Sequence, residues 1–169
     1  MQIVTDSGFD LSPQQIGDFK IHKLPLKITL SGVTCRSEVD IQPEDFYRLL
    51  ENTNDMPTTS VPSPGEFLEI YKNVAKEDPD ILSIHISSGL SGTFNSARTA
   101  AEQMENANIT LVDTRSLSGE MGWQVEAAIR AVKAGWNVDE ILALLKKVRE
   151  TSEIIFTLPD LSYLIHGGR

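Results

Sequence analysis

The residues best suited to chemistry lie in the segment Ser87-Ser88-Gly89-Leu90-Ser91-Gly92-Thr93, which concentrates hydroxyls and glycines after the apolar run Ile81–Ile86. Glycines let backbone amides approach a ligand, hydroxyls donate hydrogen bonds, and a following helix N-terminus favours an anion. The same residues would also serve a tight turn that caps a helix. Two other segments, Thr5-Asp6-Ser7 and Asp113-Thr114-Arg115-Ser116, follow short apolar runs in the same way. A fourth, Thr58-Thr59-Ser60, adds hydroxyl donors between Pro57 and Pro62. Read alone, it is a proline-punctuated linker.

Four motifs can be tested against the glycine–serine segment. A P-loop requires Gly-Lys-Ser/Thr, and no lysine follows Gly92, so nucleotide triphosphate hydrolysis is disfavoured. A dinucleotide fingerprint would place glycines at Gly89, Ser91 and Phe94, of which the first alone fits, although Asp113 ends the next apolar run at a suitable distance. A nucleophile elbow, Gly-x-Ser-x-Gly, fails at Thr93. A serine hydrolase needs a histidine base, and the candidates are His22, His85 and His166. His85 falls inside an apolar strand, where a hydrogen-bonded core imidazole is expected, and the other two are no better placed. The three histidines are also too scattered for a metal site. Neutral hydroxyls and amides without a base can bind an anion, but they have little means of catalysis.

These loops need a scaffold. Gln2–Thr5, Ile21–Leu30, Val33–Val39, Ile81–Ile86, Ile109–Val112 and Ile154–Thr157 read as strands. Helices are expected from Ser12-Pro13 through Phe19, from Pro43 (with Phe46, Leu49 and Leu50 on one face), and from Ser63, whose spacing to Glu66 forms a capping box. The helix after Ser63 is expected to bury Phe67, Ile70, Tyr71 and Val74. Further helices are expected over Phe94–Asn106 and Gly122–Ala134, and after Asn137, where Val138, Ile141, Leu142, Leu145 and Val148 form a core stripe. Asp55–Pro62 reads as a loop. Strands alternating with helices predict an α/β fold, a mainly parallel sheet flanked by helices.

Composition sets the outer limits. The chain has 169 residues and a formal charge of −9, from 15 Lys+Arg and 24 Asp+Glu. That length suits one domain with its own core. The acidic balance argues against nucleic acid, because no surplus of cations exists to displace counterions from phosphates, and against anionic membranes. Cys35 is the single cysteine, so no internal disulfide can form. Neither a basic leader nor a run long enough to span a bilayer is present, and a cytoplasmic protein is expected.

The motifs together resemble the DegV family of bacterial proteins. The resemblance runs from Thr5-Asp6-Ser7-Gly8-Phe9-Asp10-Leu11 and Leu24-Pro25-Leu26 through Asp40-Ile41, Phe46-Tyr47 and Thr59-Ser60-Val61-Pro62-Ser63-Pro64. It continues over Ser87–Thr93, Asp113–Ser116, Met121-Gly122 and Leu158–Arg169. It implies a lipid-binding protein, not an enzyme, that needs no cofactor. A long-chain fatty acid such as palmitate or oleate would lie in an apolar tunnel, its carboxylate held by Ser/Thr hydroxyls. An ATP-dependent fatty acid kinase subunit would then convert the presented carboxylate to acyl-phosphate. Carried over by position, Thr59, Ser60, Ser91 and Thr93 are the expected carboxylate ligands, supported by Ser88, Gly92 and Arg169. Val61 stands where the family commonly has glutamine, and Cys35-Arg36-Ser37 replaces an aromatic-and-acid stretch. Family members continue past Gly167-Gly168-Arg169 into a second domain, so residues 1–169 are expected to be the first domain of a two-domain design. Two other readings stand beside this one: a structural or interaction domain unable to hold lipid alone, and a dinucleotide-dependent oxidoreductase using Gly89 and Asp113.

Overall fold

The computed structural model describes residues 1–168. In chain order the elements are β1 (Gln2–Asp6), α1 (Pro13–Ile16), β2 (Ile21–Leu24), β3 (Lys27–Leu30), β4 (Val33–Arg36), α2 (Pro43–Glu51), β5 (Thr58–Ser60), α3 (Pro64–Val74), β6 (Asp80–His85), α4 (Thr93–Ala101), β7 (Asn108–Asp113), α5 (Ser118–Lys133), α6 (Val138–Thr151) and α7 (Ser162–His166). Four strands form a parallel sheet in the order β2-β1-β6-β7, and the other three form an antiparallel sheet in the order β4-β3-β5.

The parallel sheet is apolar on both faces because helices cover both. On one side Ile3, Leu82 and Ile84 pack with Met121, Val125 and Ala128 of α5 and with Ile141 and Leu145 of α6. On the other, Val4 and Ile81 pack with Phe67, Tyr71 and Val74 of α3 and with Ala97 and Ala100 of α4. Capping boxes start α1 (Ser12 with Gln15), α3 (Ser63 with Glu66) and α6 (Asn137 with Glu140). Each satisfies two amides that the helix itself leaves unpaired.

Several expectations from sequence are corrected. Ile21–Leu30 is not one strand: Pro25 lacks an amide proton, and the chain leaves the parallel sheet there and enters the antiparallel one. Ser31 and Gly32, at φ 50° and 78°, then close a two-residue hairpin between β3 and β4. Asp55–Pro62 is not wholly loop, since Thr58–Ser60 pairs with β3 as an edge strand. Ile154–Thr157 is not a strand, having no partner, and Ile155 and Phe156 are largely exposed. The helix expected to reach Phe19 stops at Ile16, and the one expected to reach Asn106 stops at Ala101. The helix expected from Gly122 begins at Ser118. In the α6 stripe, Ile141 and Leu145 are buried and Leu142 is exposed, and in α3 Ile70 is only partly buried.

Gly122 of α5 packs closely against the chain that follows β1. A Cβ there would lie 2.5 Å from the backbone oxygen of Asp10 and 3.1 Å from Leu11 Cδ2. The chain after β1 is fixed against α5 by Ser118 N–H donating to Gly8 O at 2.7 Å and Asp10 N–H donating to Ser118 O at 3.2 Å, so backbone cannot yield cheaply. Gly122→Ala is therefore expected to destabilise the protein by about 1–3 kcal/mol through overpacking, measurable as a lower denaturant midpoint.

Candidate functional site

The loops at the carboxyl end of the parallel sheet are held by two carboxylates. Asp6, wholly buried, accepts from Gly8 N–H through Oδ1 (2.8 Å), and through Oδ2 from Ile86 N–H (3.1 Å) and His85 Nδ1 (2.9 Å). His85 Nε2 meets Ser83 Oγ at 2.7 Å, and Ser83 Oγ meets the Tyr71 hydroxyl at 2.7 Å. Burial raises the Tyr71 hydroxyl to about 12, although its bond to Ser83 opposes the shift. Asp113 is the second anchor: its Oδ2 accepts from Ser88 Oγ (2.6 Å) and its Oδ1 from Ser88 N–H (3.1 Å) and Arg115 N–H (3.0 Å). Burial pushes the Asp113 carboxyl up, but these hydrogen bonds outweigh it and leave it below its ordinary value.

Ser83, His85 and Asp6 have the spacing of a serine-hydrolase relay. Sequence reasoning missed this serine, although Ser83 and His85 are two apart in one strand and so share a face. All three are fully buried, and Ser83 Oγ is already bonded to Tyr71, so the relay is sealed from substrate. His85 is the hydrogen-bonded core imidazole expected for it. Asp113 is committed to Ser88 and to the Arg115 amide, which counts against the ribose role considered for it.

Ser91 and Thr93 form a hydroxyl pair where the glycine–serine loop enters α4. Their oxygens lie 2.9 Å apart, and Thr93 N–H donates to Ser91 Oγ at 3.3 Å. Thr93 is fully buried and Ser91 is half-buried. A hydroxyl accepts two bonds and donates one. Ser91 can therefore accept both the amide and the hydroxyl proton of Thr93 and still direct its own proton to a ligand.

Thr59 and Ser60 belong to β5, where successive side chains point to opposite faces. Thr59 pairs with Ile28, which in turn pairs with Cys35, so these three share the apolar face of the small sheet. Ser60 pairs with Lys27 and points the other way. The strand thus separates the two neighbouring hydroxyls that sequence had grouped together. Val61, next in the chain, reaches the glycine–serine loop: a Cβ on Gly92 would be 3.9 Å from Val61 Cγ2. Gly92 itself has an ordinary φ of −72° and nothing closer, so no protein contact demands a glycine there. Ser88 is turned to Asp113, and Arg169 lies outside the described residues.

Two clefts open on the apolar face. One of about 370 Å³ lies between the hairpin and α2, lined by Ile28, Leu30, Val33, Cys35, Phe46 and Leu49 among others. The other, about 440 Å³, shares Ile28 and Phe46 and adds Thr58, Thr59, Tyr163 and His166. Ile28 and Phe46 form a wall common to both, and Thr59 bounds the second. Sequence did not distinguish these lining residues, because half-buried apolar side chains look like ordinary core. Among the described residues no group of three or more His, Cys, Asp or Glu could hold a metal ion, and no helix is long and apolar enough to cross a membrane.

The small sheet is tied to the parallel-sheet region by Glu66. Its carboxylate receives Lys27 Nζ (2.9 Å) from β3, together with the Ser63 amide and hydroxyl (2.8 Å each), which caps α3 just beyond Thr59-Ser60. The Lys27 bond, followed by the Ser63 amide, lowers the Glu66 carboxyl from 4.5 to about 2. A depressed folded-state value stabilises the fold above the unfolded value, and that stability is lost as pH falls. Glu66→Gln is expected to be less stable than the native chain at neutral pH, with the difference shrinking from about pH 4.5 towards pH 2. Thermal melts of both proteins across that range check it; a pH-independent difference would remove the ion pair as the cause.

The comparisons with known proteins agree with this architecture. The sequence profile of the DegV family, described as uncharacterised proteins, matches residues 1–169. A DegV domain-containing protein of Staphylococcus aureus is 41% identical over 167 residues, covering 99% of this chain and 59% of the relative. Another, from Lactococcus lactis, is 36% identical over 169 residues, covering 100% of this chain and 60% of the relative. Among solved structures, a fatty-acid-binding DegV family protein from Thermus thermophilus superposes with TM-score 0.90 at 34% identity, covering 99% of this chain and 60% of that one. DegV of Bacillus subtilis, described as a fatty acid binding protein, superposes with TM-score 0.93 at 31% identity, covering 99% and 60% respectively. This chain thus spans about three fifths of the length of the relatives it matches. Both its sequence and its fold make it a member of the DegV family.

Proposed function

We propose that this chain carries the head-group site of a fatty-acid-binding protein, presenting the bound carboxylate to an ATP-dependent kinase subunit without catalysing a reaction itself. The observation that carries the reading is a half-buried hydroxyl, Ser91, whose pairing with Thr93 can leave its proton for a ligand, on a loop beside Val61, with an apolar cleft bounded by Thr59. Ser91 and Thr59 would donate to the carboxylate. Thr93 positions Ser91, and Gly92 leaves room for close approach. Ser60 supports the strand from its other face, and Ser88 supports the loop through Asp113. His166 lines the cleft at Thr59 and would add a donor from the opposite wall. Arg169 keeps the role the family resemblance gives it. The similarity to the Thermus thermophilus and Bacillus subtilis fatty-acid-binding proteins supports the ligand class.

The energetics divide the work. Burying each methylene contributes roughly 0.8 kcal/mol, so a tail of about fifteen carbons supplies on the order of 10 kcal/mol before association costs. The hydroxyls then decide which end faces out. The tail would lie against Ile28, Cys35 and Phe46, none of which is fully buried. A second reading, an interaction domain unable to retain lipid by itself, is favoured by the absence of any buried residue from Pro25 to Val61.

Organic extraction of the purified chain after incubation with palmitate or oleate, followed by mass spectrometry, is expected to release the fatty acid stoichiometrically; recovery of none favours the second reading. Bound fatty acid is also expected to slow maleimide labelling of Cys35. Retention of lipid with unchanged Cys35 labelling would place the tail elsewhere. Ser91→Ala is expected to weaken binding by about 1–3 kcal/mol, the cost of leaving a buried partner unsatisfied. Unchanged affinity would remove Ser91 from the site.

A further inference from the structure

The segment Asp113-Thr114-Arg115-Ser116 has a feature that the fatty-acid reading does not use. Arg115 is held at φ 53°, a left-handed conformation that side-chain-bearing residues adopt at a cost, and its amide donates to Asp113 Oδ1. Beside it opens a cleft of about 330 Å³, where Arg115, Lys146 and Arg149 stand over an apolar wall that includes Phe94, Leu142 and Leu145. Arg149 donates to the backbone oxygen of Asp113 at 3.4 Å.

The charges here are poorly neutralised. Among the described residues no carboxylate lies within ion-pair distance of Arg115 or Arg149, and Lys146 reaches Glu150 only at 3.8 Å. Lys72, Lys76, Arg98 and Lys147 form no ion pair among the described residues either, so what sets Arg115 and Arg149 apart is that they line one cleft together with Lys146. Three cations converging in a chain of net charge −9 raise the local potential unless an anion joins them. Asp113 also lines the cleft: Ser88 and the Arg115 amide bond its oxygens without cancelling its charge, which attracts Arg115, so the lining holds three cations and one carboxylate. The cleft also lies at the carboxyl end of β7, where open parallel sheets take ligands.

We propose that this cleft binds the phosphate of a small phosphate monoester, separately from the fatty-acid site. Three cations less the Asp113 carboxylate leave the lining at +2, which a single ligand carboxylate only half neutralises. A phosphate dianion carries the charge and enough oxygens for two planar guanidinium forks and an ammonium. Phe94, Leu142 and Leu145 give the organic portion an apolar surface.

The test is a titration of the isotopically labelled chain, following the backbone amides of residues 113–116 and 145–149 by nuclear magnetic resonance. The probes are phenyl phosphate, inorganic phosphate, benzoate and phenol. Phenyl phosphate is expected to shift these amides saturably and to bind more tightly than inorganic phosphate or benzoate, while phenol has no effect. The double variant Arg115→Gln/Arg149→Gln is expected to lose about tenfold or more in affinity while its circular dichroism is unchanged. Single variants at each position cover the case in which the double variant fails to fold. Absence of saturable shifts, equal binding of benzoate, equal binding of inorganic phosphate, or undiminished affinity in folded variants would overturn the assignment.

Discussion

The buried carboxylate of Asp6 is the contact on which the carboxyl end of the sheet depends. It binds the amide that starts the loop after β1, the amide that follows β6, and the imidazole of His85. Loss of the carboxylate would strand three donors away from water, and unmade buried bonds of this kind cost more than made ones contribute. The anchoring continues outward. Thr114 donates through both its amide (3.1 Å) and its hydroxyl (2.7 Å) to His85 O, and Ser87 N–H donates to Ser116 O at 2.9 Å. Asp113 then holds Ser88. The hydroxyl pair at Ser91 therefore sits on a loop fixed at its start by a chain of bonds running from β1 through β6 to β7.

Two regions of different character meet at Ser91. The parallel sheet is enclosed by helices on both faces and contains the buried side chains, including the sealed Ser83–His85–Asp6 relay. The small antiparallel sheet with α2 contains none between Pro25 and Val61. Its apolar face carries Ile28, Val33, Cys35 and Thr59, and Val33 is 63% exposed. A face this open lacks the burial that would make it stable alone. The Glu66–Lys27 pair ties it to α3, and Val61 lies beside Gly92 of the loop.

Where the chain's local signals were strong, sequence and structure agree. Alternating strands and helices, the Ser63–Glu66 capping box and the apolar run of β6 fixed the α/β class and the position of the glycine–serine loop. The short β5 was hidden because three hydroxyl residues between prolines carry no periodicity; only pairing with β3 makes them a strand. The same omission hid the fact that Thr59 and Ser60 face apart. Ile21–Leu30 reads as one strand because the change of sheet at Pro25 is a long-range event that the local pattern does not carry. The Asp6–His85 contact spans 79 positions, and neither residue announces the other. The Ile154–Thr157 run has strand composition but no neighbour to bond with. The groove lining was illegible for a different reason: whether an apolar side chain is packed or waiting for a ligand depends on what lies opposite it.

The lack of buried side chains from Pro25 to Val61 bears on rates as well as on shape. A segment joined to a well-packed body by few contacts opens at a smaller free-energy cost than the body unfolds. An acyl chain resting against that segment would add its own burial to the cost of opening. Residence time would then follow the opening of the hairpin and α2, and the strength of the hydroxyl bonds would set only orientation. Longer tails would slow their own escape by ordering the wall that retains them.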